Sequence, residues 1–126
     1  TPAADEGRSL VVLLANADSA SGEKISKKCI ACHTFSEGQA SKIGPNLWDV
    51  VGRDIASGTE FPYSNALQKI EGKWDFAELD KFLTSPKKYA KGTKMAFPGL
   101  ANPSDRADML AYLRSLSSTP AALPGN

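Results

Sequence analysis

The chain has 126 residues, 41% of them apolar, with fifteen Lys/Arg against fourteen Asp/Glu and a single His, for a net charge of +1. That length fits one domain, and near-neutral charge without a basic stripe of interleaved aromatics argues against a nucleic-acid partner. No apolar run reaches the ~18 residues that a membrane-crossing helix needs; Leu10–Ala15 is too short, and no basic n-region precedes it to make a signal peptide.

Along the chain, residues 1–8 read as a disordered lead-in and Leu10 to Ala17 as a short helix. Asp18 to Ser21 offers N-cap candidates for a second helix. In it, Ile25, Cys29 and Cys32 fall at i, i+4 and i+7 on one face, with His33 at its end. Residues 34–63 are rich in Gly, Ser and Pro without a period, as a loop or an extended wrap would be. Ser64 is placed to cap a short helix through Lys69.

Asp75 and Glu78 have capping-box spacing, and Trp74 with Leu79 fits a hydrophobic staple, so a helix begins there and stops at Ser85-Pro86 near Thr84. Ser85 and Pro86 start a further turn, and Gly92 to Pro98 is loop. A last helix begins near Asn102-Pro103, with Met109, Tyr112, Leu113 and Leu116 as one apolar stripe; Pro120 and Pro124 mark a loose tail. No segment alternates as a strand does. The expected architecture is all-α with long loops, arranged as a lead-in and short helix over 1–17, a main domain over 18–117 and a flexible tail over 118–126. Loops of this length need a reason, and a bound group that orders them is one.

The chemistry concentrates in Cys29-Ile30-Ala31-Cys32-His33, which uses both cysteines and the only His. Cys-x-x-Cys-His is the attachment signature of a c-type haem: two thiols add to the vinyl groups and the adjacent imidazole reaches the iron. A disulfide or redox dithiol is argued against by the His and by the absence of a βαβ pattern. Zinc would need a fourth ligand that no other Cys or His supplies. With one His, bis-His ligation within the chain is impossible, so the sixth position falls to Met, to Lys, to a weaker group, or stays open. Met109 lies on the apolar stripe of the last helix, where packing is its ordinary role. Met95 lies in a loop bracketed by Gly92 and Pro98, where a large apolar side chain needs an apolar destination. Met95 is therefore the favoured ligand, closing the iron to oxygen and suiting it to one-electron transfer.

On these motifs the chain resembles a class I c-type cytochrome, similar to mitochondrial cytochrome c and its soluble or membrane-tethered bacterial relatives. The resemblance runs from about Gly22 to Leu116. It rests on the Cys29–His33 motif, Gly44-Pro45-Asn46-Leu47, Val51-Gly52-Arg53, Phe61-Pro62-Tyr63-Ser64, Trp74, Ser85 to Tyr89, Gly92 to Phe97 and the run from Asp105 to Leu113. It implies the cytochrome c fold, with N- and C-terminal helices packed together and long loops wrapped around one covalently bound haem. It also implies Cys29 and Cys32 as thioether anchors and His33 and Met95 as axial ligands. The Pro45 carbonyl would accept from the His33 imidazole, and Arg53, Tyr63 and Trp74 would surround a buried propionate. Two positions depart from the pattern: Ser26 stands where an aromatic is usual before the first Cys, and Phe82 where mitochondrial members carry a Tyr near the Met ligand.

Residues 24–94 hold twelve Lys/Arg and eight Asp/Glu. Lys27, Lys28, Lys87, Lys88, Lys91 and Lys94 would ring an exposed haem edge and steer it onto acidic redox partners. The alternative is a set of solvated lysines. The leading functional reading is a monomeric electron carrier, not an enzyme, between a quinol-oxidising complex and a terminal oxidase or similar acceptor. The other readings are a haem peroxidase or gas sensor with a labile sixth ligand, and an electron-entry domain detached from a larger enzyme. The family implies a periplasmic location, with a membrane tether in a fuller form, or the mitochondrial intermembrane space.

Overall fold

The computed structural model describes residues 9–42, 44–55, 67, 70, 72–93, 95 and 97–123. Among these residues there are five α-helices: α1 (Leu10–Ala15), α2 (Ser19–Ile25), α3 (Phe76–Thr84), α4 (Pro86–Tyr89) and α5 (Pro103–Ser115). No strand occurs among the described residues; a single antiparallel bridge pairs Asp54 with Lys73. The reading from Ser64 through Lys69 falls, apart from Leu67, outside the described residues, as do Tyr63 and Lys94.

The N-terminal helices are set by their caps. The Ser9 side chain accepts from the Val12 amide at the start of α1, and Asp18 accepts from the Ala20 amide at 2.9 Å at the start of α2. These bonds satisfy amides that the first turn leaves without partners. Hydrogen bonds from Ser21 and then Ala20 hold the Asp18 carboxyl below its usual range. Leu13 and Leu14 of α1 are buried in the core. Both α1 and α2 pack on α5, and the Asp18 amide donates to Asp108 of α5 at 2.9 Å.

The α-helical face expected to carry Ile25, Cys29 and Cys32 does not form. α2 ends at Ile25, a 3₁₀ turn covers Ser26–Lys28, and Cys29 to Cys32 follow as turns. The Ser26 hydroxyl bonds back to the Glu23 carbonyl, an alternative to the α-helical ladder of the kind that short hydroxyl side chains supply. Ser26 itself is buried.

At α3 the Asp75 carboxylate accepts from the Glu78 amide at 2.8 Å. Phe76, Leu79, Phe82 and Leu83 form the buried face. The helix ends where Ser85 turns extended ahead of Pro86, the conformation a following proline imposes. Trp74, Phe82 and Tyr89 form one aromatic cluster, with ring centroids 5.1 Å (Trp74–Phe82), 5.8 Å (Trp74–Tyr89) and 5.6 Å (Phe82–Tyr89) apart. The Tyr89 hydroxyl donates to Glu78 at 2.6 Å; burial, and then that carboxylate, push its pKa up.

Asn102 caps α5 by accepting from the Ser104 amide, and Pro103 occupies its first position. Met109, Leu110 and Leu113 are buried in the core. The segment after α5 turns back on the body. Arg114 donates to the Ala121 carbonyl at 2.6 Å, Ser117 donates to Asp49 at 2.7 Å, and Leu123 packs against the core.

Candidate functional site

α2 and its 3₁₀ extension deliver Cys29 into a tight turn. The amides of Cys32 and His33 both donate to the Cys29 carbonyl, at 3.0 and 2.9 Å, so both thiols and the imidazole issue from one small backbone unit. Both thiols are unpaired and half-buried. Burial, reinforced by the neighbouring Cys32, pushes the Cys29 pKa up against a smaller opposing pull from Lys28.

The His33 ring is oriented by the loop that follows. Its Nδ1 lies 2.8 Å from the Pro45 carbonyl oxygen. A carbonyl can only accept, so Nδ1 carries the proton and Nε2 is left with its lone pair free. Burial lowers the imidazole pKa, only partly offset by the Pro45 bond, so the neutral form is favoured. The loop is fastened around the ring. The Gly44 amide donates to the Cys32 carbonyl at 2.6 Å, Lys42 Nζ donates to the Ile30 carbonyl at 3.0 Å, and Asn46 Nδ2 donates to the carbonyls of Ser36 and Gln39. Gly44 sits so close that an added Cβ would fall on the imidazole. The sequence carries a signal for this in Gly44-Pro45-Asn46, but not for the ring that presses on it.

Arg53 Nη1 donates to the carbonyls of Asn46 (3.1 Å) and Trp48 (3.4 Å). It is thus tied into the loop that holds His33 and is not a solvated loop charge. Its Nε is buried and is the one such side-chain nitrogen or oxygen without a protein partner among the described residues. A buried donor left unpaired is costly, so this N–H fits an acceptor from outside the chain. Trp74 joins Arg53 through backbone: the Trp74 amide donates to the Arg53 carbonyl at 2.8 Å, and the Gly52 amide to the Trp74 carbonyl at 2.7 Å.

Met95 is half-buried, with its amide donating to Thr93 Oγ1 at 3.3 Å. Together with Cys29, Leu47, Val51 and Phe97 it packs against the main core. Met109 is 2% exposed within that core, so the two methionines occupy different environments. Among the described residues no three or more His, Cys, Asp or Glu converge to hold a bare metal ion. What the donors fit is a larger group anchored at separate points. Two thiols at fixed spacing, one oriented imidazole Nε2, an apolar lining with a thioether and an orphaned Arg N–H match the edge, iron, ring and propionate of a haem.

The comparisons with known proteins bear on the same residues. The cytochrome c family model matches residues 19–117. A cytochrome c homolog of Rickettsia bellii is 48% identical over 101 residues, covering 80% of this chain and 57% of that protein. Cytochrome c of Nigella damascena is 47% identical over 98 residues, covering 77% of this chain and 88% of that protein. Among solved structures, cytochrome cH from Methylobacterium extorquens superposes with a TM-score of 0.74 at 41% identity, covering 79% of this chain and 99% of that one. The chain spans little more than half the length of the Rickettsia bellii relative.

Proposed function

The chain belongs to the cytochrome c family and has its all-α fold, and from that premise we propose that it carries single electrons on one covalently attached haem c. The observation that carries this reading is the His33 imidazole, fixed through Nδ1 by the Pro45 carbonyl in the same turn as two free, half-buried thiols. When bound, the haem supplies a reversible one-electron couple. Cys29 and Cys32 would hold it through thioether bonds, and His33 Nε2 and the Met95 thioether would bind its iron; a thioether of this kind would favour the reduced iron and raise the potential. Arg53 Nε–H, with Trp74 close by, would donate to a propionate carboxylate, because a charge in a low-dielectric site needs donors or a cation. The resemblance assigns Tyr63, which lies outside the described residues, to the same role. The Pro45 carbonyl holds the ring of His33 so that little reorganises when the charge on the site changes.

A c-type absorption spectrum of the reduced protein is expected to stay unchanged under carbon monoxide, and Met95→Ala is expected to bind the gas readily. Ready binding by the unaltered protein would overturn His/Met closure and favour the sensor or peroxidase reading.

Lys27, Lys28, Lys87, Lys88 and Lys91 are exposed and form the docking rim in this reading, to which the sequence reading adds Lys94, outside the described residues. The partners are membrane redox complexes, a quinol-oxidising complex as donor and an oxidase as acceptor. The carrier works in the periplasm, or in the mitochondrial intermembrane space. Oxidation rates with an oxidase-containing membrane fraction are expected to fall by about tenfold or more from low to high salt, because steering by exposed charge is screened beyond a Debye length. Changing Lys87, Lys88 and Lys91 together to Gln should flatten that dependence; a flat profile for the unaltered protein would remove the steering role.

A further inference from the structure

The loop that carries Met95 returns to the body through an unusually well-fastened segment. Gly99 adopts φ +115°, and a Cβ there would fall on the Thr84 carbonyl oxygen, with Leu83 O only 3.0 Å away. One residue on, the Leu100 amide donates to the Leu83 carbonyl at 2.7 Å. Arg106 of α5 closes the segment from the other side. Its Nη1 donates to the carbonyls of Leu100 (2.9 Å) and Ala101 (3.0 Å), and its Nε donates to Asp80 of α3 at 2.8 Å. The Arg106 and Asp80 side chains are only 12% and 24% exposed, where a charge-assisted bond is screened far less than on the surface.

The other end of the loop has two bonds among the described residues. Thr93 donates to the Ala90 carbonyl at 2.9 Å, and Met95 leans on the Thr93 hydroxyl at 3.3 Å. Where α5 meets α2 at Gly22, its nearest atoms belong to Asp108 and Tyr112. The guanidinium thus ties the return of the Met95 loop both to its own helix and to α3.

We infer that Arg106, braced by Asp80, is a positioning residue for Met95: it holds the return of the 92–99 loop so that the thioether keeps its place when a competing ligand is offered. This rests on the assignment of Met95 as axial ligand. Arg suits the task because its planar fork reaches two carbonyls and a carboxylate at once, which an ammonium cannot do in one geometry.

The test uses the haem-loaded full chain. Imidazole is titrated into the oxidised protein while the long-wavelength sulfur-to-iron absorption band is followed, and denaturant unfolding is measured in parallel. Arg106→Gln and Asp80→Asn are each expected to lower the apparent Kd for imidazole by about tenfold, the scale of one lost charge-assisted bond in the closed-to-open equilibrium. Arg106→Lys should fall between these and the unaltered protein. Asp108→Ala removes a cap across the α2–α5 contact and is expected to lower the unfolding midpoint with the imidazole Kd unmoved. If Arg106→Gln behaves like Asp108→Ala, the role is structural and the inference falls. If Arg106→Gln does not fold, an unmoved Kd in Asp80→Asn and Arg106→Lys overturns it equally. Absence of the sulfur band in the unaltered protein would instead overturn the Met95 assignment, and the inference with it.

Discussion

Gly44→Ala is expected to be among the most damaging single-methyl changes available in this chain. The added Cβ would fall on His33 Cε1 and lie 2.7 Å from Nδ1 and 2.8 Å from Nε2, so ring and loop cannot both stay. The loop is restrained by the Gly44–Cys32 bond and by the two carbonyl bonds of Asn46. The ring is restrained by its place on the residue that directly follows the Cys29–Cys32 turn and by the Pro45 carbonyl. Whichever yields, the bond from Nδ1 to Pro45 is the first to be lost. Overpacking of this kind costs about 1–3 kcal/mol, and a buried ring N–H left unpaired costs about 1–3 kcal/mol more. A loss of about 2–4 kcal/mol, or on the order of 10 °C in the unfolding midpoint, should accompany a changed midpoint potential, since the ligand's orientation and basicity are altered together. Unfolding curves and a redox titration of the haem-loaded variant check this; wild-type values in both would mean that the Gly44 approach is slack.

The parts of this structure that local chemistry dictates were open to sequence reading. Asp18, Asp75 and Asn102 are short acceptors ahead of helical runs, and each accepts from the amide two or three residues on. Ser85-Pro86 stops α3 because proline restricts the residue before it. Met109 reads as core from its stripe and is core. Local side-chain and turn bonds overrode the helical period after Ile25. The spacing of Ile25, Cys29 and Cys32 satisfies a helical period, yet the Ser26 hydroxyl and the doubly used Cys29 carbonyl tighten the chain into 3₁₀ and turn.

Periodicity reports which positions want burial and not which backbone presents them. The same limit hides Gly44 and the Asp80–Arg106 pair, whose partners are distant in sequence. After α5, the bonds of Ser117 to Asp49 and of Arg114 to the Ala121 carbonyl are ones that no local pattern announces.

Gly22→Ala turns on a conflict of sign. In an isolated helix this change would stabilise by about 1 kcal/mol, since Gly is the poorer helix former. Here α2 crosses α5 with Gly22 at the contact: a Cβ would fall on the Asp108 carbonyl oxygen, 2.6 Å from its carbon and 2.8 Å from Tyr112 Cβ. The obstacle is helix backbone, which has no rotamer to take up, so the helices must separate. Separation also pulls the Asp18 amide from the Asp108 carboxylate, now 2.9 Å apart. Overpacking against backbone together with a weakened cap outweighs the propensity gain, and a net loss of about 2 kcal/mol or more is expected. Because α2 runs through Ser26–Lys28 directly into the Cys29 turn, the variant should also bind carbon monoxide or imidazole more readily than Asp108→Ala, which weakens the cap without parting the helices. A rise in the unfolding midpoint of Gly22→Ala would show that the crossing has room for a methyl group, and would remove the close α2–α5 approach as the brace behind the Cys29 turn.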